Sequence, residues 1–187
     1  MQLVAYGAQD IYLSGNPQIT FFKVVYRRHT NFAVESIKQT HSGTAAAKSK
    51  ISVTVSRNGD LLSQVWLVTK GASGTTITPE QAFRQIDYVE VEIGGQIIDK
   101  QYGHWMQIWT DLTNPSDKTS LLDTCVGDMV GNRGSYVPLQ FWFCRNPGLA
   151  LPLIALQYHE VKLNITFART TSRLTNCEVW CDYVFLD

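Results

Sequence analysis

The sequence has no surplus of charge of either sign: sixteen Lys and Arg stand against sixteen Asp and Glu in 187 residues. Proteins that hold nucleic acid by neutralising phosphates need a basic excess, so no direct nucleic-acid partner is expected. No run approaches the ~20 apolar residues of a membrane span. The longest candidate, Gly148 to Tyr158, is short and carries Pro152. A secretory leader is not expected either, because the first basic residue is Lys23 and Asp10 falls where an apolar stretch would lie. Cysteine is scarce: Cys125, Cys144, Cys177 and Cys181 include no CxxC. They read as reduced and structural, with Cys177 and Cys181 on one strand face but too far apart to bond. Motifs of catalysis are missing too: no GxSxG, no P-loop, no GxGxxG and no HExxH. His159-Glu160 starts the last of these, but Leu163 stands where its second histidine belongs. What is abundant is apolar and aromatic residues, 44% and 11%, enough for one globular domain with its own core. A soluble, intracellular domain is the expectation.

The dominant period is two. Ile51 to Arg57 alternates apolar and polar, as a half-buried strand does. Asn58-Gly59-Asp60 follows as a turn whose Asn-Gly takes positive φ cheaply, and Leu62 to Thr69 is apolar on both faces and therefore central. Val89 to Ile93 and Gln96 to Asp99 flank Gly94-Gly95, a tight hairpin. Val137 to Phe143 makes another strand, with Pro138 placing its start near an edge or bulge. His159 to Phe167 and Val179 to Phe185 alternate as well. With a weaker strand over Phe32 to Lys38 the count is eight, lettered B to I. Tyr102, Trp105, Trp109 and Leu112 break the pattern at helical spacing, and Asn114-Pro115 ends that helix. A second short helix runs from Ser116 or Asp117 to Cys125. Long connections (B–C, D–E, F–G, H–I) alternate with short ones (C–D, E–F), and an eight-stranded jelly roll puts those four long loops at one end. The fold class is thus all-β: an eight-stranded antiparallel jelly-roll sandwich with short helices in the long F–G loop. Greek-key winding then predicts Leu62–Thr69 between Val179–Phe185 and Val137–Phe143, and Ile51–Arg57 beside His159–Phe167, which flanks Val89–Ile93.

His29, His41, His104 and His159 are isolated, whereas a metal-bearing jelly roll usually pairs histidines at i and i+2 on one strand face; no metal and no cofactor is expected. Lys23, Arg27, Arg28 and His29 among Phe21, Phe22 and Tyr26 read either as a single-strand nucleic-acid patch or as an N-terminal arm docking on protein. Zero net charge favours the arm. Asn164-Ile165-Thr166 matches a glycosylation sequon but falls mid-strand. Three functional classes stay open on these grounds: a structural protein, a carbohydrate-binding jelly-roll module using Trp105 to Asp111, and a metal-dependent jelly-roll enzyme.

Longer motifs carry a resemblance. Leu3-Val4-Ala5-Tyr6-Gly7-Ala8-Gln9-Asp10, Gly15-Asn16-Pro17-Gln18-Ile19-Thr20-Phe21-Phe22-Lys23 and Tyr26-Arg27-Arg28 resemble the opening of the major capsid proteins of large eukaryotic (nucleocytoplasmic) DNA viruses, most closely the algal-virus, phycodnavirus-like type. Arg57-Asn58-Gly59-Asp60, Glu92-Ile93-Gly94-Gly95-Gln96 and the run Asn146 to Val161 are similar to later motifs of that family, and Trp180 to Asp187 is similar to the close of its first jelly roll. The resemblance implies a non-enzymatic virion protein with two tandem jelly rolls; this chain stops where the second should begin, and Asp187, closing a strand with no polar tail, looks like the end of a cut fragment. It implies a homotrimer forming pseudo-hexagonal capsomers of an icosahedral shell, in contact with neighbouring capsomers and with minor capsid proteins at the inner face. Assembly in the host cytoplasm is implied as well. On this reading residues 1–30 are an N-terminal arm and 31–187 a single jelly-roll domain. Phe21, Phe22, Tyr26, Arg27 and Arg28 are the arm's contact candidates. The outer loops present Gly71, Ser73, Gly74, Thr75, Trp105 and Trp109. Because Tyr102, Trp105 and Trp109 would leave much apolar area in water, the aromatic face of the helix should pack on the barrel or a neighbouring subunit, with Gln101, Gln107 and Asp111 pointing away.

Overall fold

The computed structural model describes residues 31–71, 78–127, 134–169 and 174–186. By contacts the chain falls into two units, Ala33–Phe185 and Met1–Phe32 with Leu186–Asp187; the sandwich is the first. One sheet runs β1(Phe32–Gln39), β10(Leu174–Leu186), β4(Leu61–Gly71), β7(Ser135–Pro138), with β8(Leu151–Pro152) also on β4. The other runs β2(His41–Ser42), β3(Lys50–Thr54), β9(Val161–Phe167), β5(Ile86–Ile93), β6(Gln96–Tyr102). Leaving aside the two-residue β2 and β8, these are the eight expected strands in the expected neighbourhoods. β4 lies antiparallel between β10 and β7, and β9 between β3 and β5. The fold is a jelly roll.

Register follows burial. Val53 and Val91 both sit opposite Leu163, and Leu67 sits opposite Val179; all five side chains are fully buried. Side chains alternating inward from both sheets make one core, to which Phe141, Phe143, Phe167 and Tyr183 contribute the bulk. The Gly94-Gly95 hairpin has positive φ at both residues, 60° and 86°, as a type I′ turn requires.

Two expectations about strands need correction. Asn58-Gly59-Asp60 turns the chain from one sheet to the other without the positive φ expected of its Asn-Gly. Its glycine is required by close approach: a Cβ there would lie 2.9 Å from Tyr183 Cβ. The strand expected over Val137 to Phe143 ends at Pro138, whose missing N–H fits an edge position, and the chain then enters a 3-10 turn at Trp142–Cys144. Phe141 and Phe143 stay buried and stack 5.6 Å apart, so the period-two burial outlasts the strand.

Among the described residues three helices occupy the long connections: α1(Pro79–Arg84) between β4 and β5, and α2(Gly103–Thr113) and α3(Ser116–Gly127) between β6 and β7. α1 begins at a reciprocal capping box, Thr78 with Gln81, and has Pro at its first turn.

Candidate functional site

The described parts of the four long connections meet at one end of the sandwich. The amide of Ala168 donates to Gln85 O (2.8 Å), and that of Phe167 to Ser49 O (2.9 Å), tying the segments after β9, before β5 and before β3 together. α1 packs against both α2 and α3. At Gly103 the start of α2 runs so close to the end of α1 that a Cβ would fall 2.3 Å from the carbonyl oxygens of Phe83 and Ile86. The opposite end is held by Arg57, whose guanidinium donates to the carbonyls of Leu156 (2.7 Å), His159 (2.9 Å) and Gln157. It fixes the segment between β8 and β9, which exposes Ile154 and Tyr158.

α2 is rotated from its expected setting. Gly103, Met106 and Thr110 form its buried face, while Tyr102 and Trp105 are 53% and 43% exposed and Trp109 is half-buried. Gln101 does not point away: it is 5% exposed. Asp111 is exposed as expected, and Gln107 is intermediate. At Gly103 the helix runs so close to the Phe83 and Ile86 carbonyls that no side chain fits there, and the unbranched Met106 fills the buried face in place of the indoles. The rings pack instead on one another and on partners that sequence reading missed. Trp105 and Trp109 lie 5.9 Å apart, and the Arg145 guanidinium sits 4.2 Å over Trp109. Lys100 Nζ lies 3.7 Å over Tyr88. Arg145, remote in sequence, carried no periodic signal. Ile97, Ile98, Ile108 and Leu112 add further exposed apolar surface on β6 and α2. Gly71 closes β4, whereas Ser73, Gly74 and Thr75 lie outside the described residues, as do Phe21, Phe22, Tyr26, Arg27 and Arg28 of the arm.

A second surface lies on the outer face of the β1–β10–β4–β7 sheet. A groove of about 740 Å³ runs past Trp66, Val68, Tyr136 and Trp180 to Lys118 and Cys125 on α3. At its rim Glu178 accepts from Lys70 and Lys38 (3.0 Å each) and from Trp180 Nε1 (3.2 Å). The bonds from Lys70 and Lys38 pull its carboxyl down to about 2. All four cysteines are free. Burial pushes the Cys144 thiol up to about 12 and that of Cys177 to about 11, which keeps both protonated and unreactive near neutrality. Among the described residues no group of three or more His, Cys, Asp or Glu could hold a metal ion, and no helix is long and apolar enough to cross a membrane. Asn164 of the sequon is 6% exposed and donates its side-chain amide to Glu92 (3.1 Å), so it is a sheet residue rather than a modification site.

A family model described as the major capsid protein N-terminus matches residues 20–187. The major capsid protein of Pyramimonas orientalis virus is 49% identical, over all of this chain and 52% of its own length. That of Paramecium bursaria Chlorella virus 1 is 48% identical, over all of this chain and 47% of its own length. The chain thus spans about half the length of these curated relatives. A quasi-atomic model of the PBCV-1 virus capsid superposes with a TM-score of 0.71 at 44% identity, over 90% of this chain and 46% of that one. The Faustovirus major capsid protein, 12% identical with a TM-score of 0.54 over 97% of this chain and 58% of that one, shares the fold.

Proposed function

From the premise that the chain belongs to the major capsid protein family, we propose that it is the first barrel of a shell-building protein. Three copies of the full-length protein, each with two barrels, associate into a pseudo-hexagonal capsomer of an icosahedral virion, assembled in the host cytoplasm. The observation that carries this reading is the match over residues 20–187, which runs unbroken through the sandwich from β1 to β10. The role is structural and not enzymatic. The loop-bearing end, with Gly71 to Thr76, Trp105 and Trp109, faces outward; the end clamped by Arg57 faces minor capsid proteins. Residues 1–30 form an arm whose Phe21, Phe22, Tyr26, Arg27 and Arg28 contact the base or a neighbouring subunit. Ile97, Ile98, Ile108 and Leu112, each more than half exposed on β6 and α2, support burial against another capsid component. Sedimentation velocity on this chain beside one extended to the relatives' length tests the reading. The extended chain sediments as a trimer, and an extended chain that stays monomeric at every concentration overturns it.

A further inference from the structure

The groove on the outer face of the β1–β10–β4–β7 sheet has its polar edges already answered. Trp66 donates its indole N–H to Asp182 Oδ2 (3.2 Å), and Trp180 donates its own to Glu178 Oε2 (3.2 Å). Glu178, Trp180 and Asp182 alternate on β10 and share one face, so both indoles are held along the sheet instead of standing off it. The carboxylates have further donors: Ser36 Oγ to Asp182, and Lys38 and Lys70 to Glu178. The ring surfaces are what remains for a neighbour. A polar ligand gains little from groups so paired, whereas an apolar protein face covers the rings and leaves the pairs in place. Val34 on β1 and Tyr136 on β7, 58% and 46% exposed, carry the surface to both edges of the sheet.

We propose that the C-terminal half of the same polypeptide docks on this groove through an apolar face. Two observations select that occupant over a free partner. The relatives run to about twice this chain's length, and the matching family model is of their N-terminus, so a stretch of comparable size follows it in them. In a chain continued in the same way that stretch leaves from β10, the strand that carries Glu178, Trp180 and Asp182 and ends at Leu186. A face tethered there meets the groove at an effective concentration on the order of mM, which a separate copy does not reach in dilute solution. The proposal rests on the reading that a second barrel follows the first, and goes beyond it by assigning the face on which the two meet.

The test compares the chain extended to the relatives' length with this 187-residue chain. Cys125, exposed on α3 where it lines the groove, is the reporter, since burial keeps the thiols of Cys144, Cys177 and Cys181 protonated and slow. Its alkylation, read by peptide mass spectrometry, is expected to be about tenfold slower in the extended chain. Tyr136→Asp and Val34→Asp, each at an exposed side chain, should bring the ratio of the two rates back towards one. Thermal midpoints of the 187-residue variants, expected unchanged, establish that they fold. To separate the chain's own half from a neighbour's, extended chains with light and heavy nitrogen are co-refolded. Lys118, exposed at the groove, is then cross-linked by a reagent that is amine-reactive at one end and photoactivated at the other. Links from Lys118 to peptides beyond Asp187 should join like isotopes. Links of mixed isotope, equal alkylation of Cys125 in both chains, or slow alkylation that neither variant relieves each overturn the proposal. Sedimentation of the same samples reports the shell-building reading separately. An extended chain that shields Cys125 yet stays monomeric keeps this proposal and removes that reading, and a trimer with Cys125 open does the reverse.

Discussion

Gly103 shows how one residue sets the geometry of the loop-bearing end. The space for its missing Cβ is occupied by two backbone oxygens, and backbone cannot step aside as a flexible side chain can. Gly103→Ala should therefore cost at least ~1–3 kcal/mol in urea unfolding, the scale of overpacking; an unchanged midpoint would contradict the close approach. Met106, fully buried on the same helix, should lose ~2–5 kcal/mol on truncation to Ala. Trp105→Ala, from a ring 43% exposed, should lose about 1–2 kcal/mol. The reverse order of these two midpoints would mean that α2 sits with its indoles inward after all. Glu178 supplies a pH dependence. Its carboxyl titrates near 2 when folded, below the ordinary 4.5, so its ion pairs stabilise the fold above about 4.5 and are lost as pH falls towards 2. Glu178→Gln should flatten that acid limb, seen as a smaller drop in urea midpoint between pH ~5 and ~3 than the parent shows.

Among the elements, the strands were legible and the helix orientation was not. Ile51 to Arg57 and His159 to Phe167 announce themselves by alternation, and Greek-key winding then dictates their pairing, which the structure has. Period two survives because each strand meets the core on one face only. The stripe of Tyr102, Trp105, Trp109 and Leu112 correctly marked a helix but not its buried side, because which face is covered depends on how near the helix can come. That distance is set by Gly103, Phe83 and Ile86, which are distant in the pattern. α1 has a capping box in Thr78-Pro79-Glu80-Gln81 but no periodic signal beside it. Its six residues are too few to establish a helical period. At this end Tyr102, Trp105 and Trp109 were legible as a stripe, whereas Arg145 joins them through tertiary contact alone. The segment between β8 and β9 has no regular ladder and depends on Arg57 for order. Arg57→Ala should speed amide hydrogen exchange over residues 153–160 while β3 and β9 exchange as before. Uniform acceleration would place Arg57 in the global fold instead.

On the scale of the whole molecule, the sheets are closed by strands that arrive late. β4 pairs with β10 and β7, β3 with β9, and the first strand of the sandwich with β10, the last described. A ribosome releasing the chain at ~5–20 residues per second would expose β3 and β4 for ~5–20 s before their partners emerge. During that interval Ile51, Val53, Leu62, Val65 and Leu67 have no sheet to enter, and such strands are open to mispairing with other nascent chains. Non-local pairing also slows folding itself, towards the ms–s range of all-β domains. Refolding from urea should accordingly show slow kinetics, and yield should fall as protein concentration rises; fast, concentration-independent recovery would argue against a late closure. For a component made in many copies at once, the order in which strands are synthesised becomes a quality-control problem, one that favours chaperone capture of the nascent amino-terminal half.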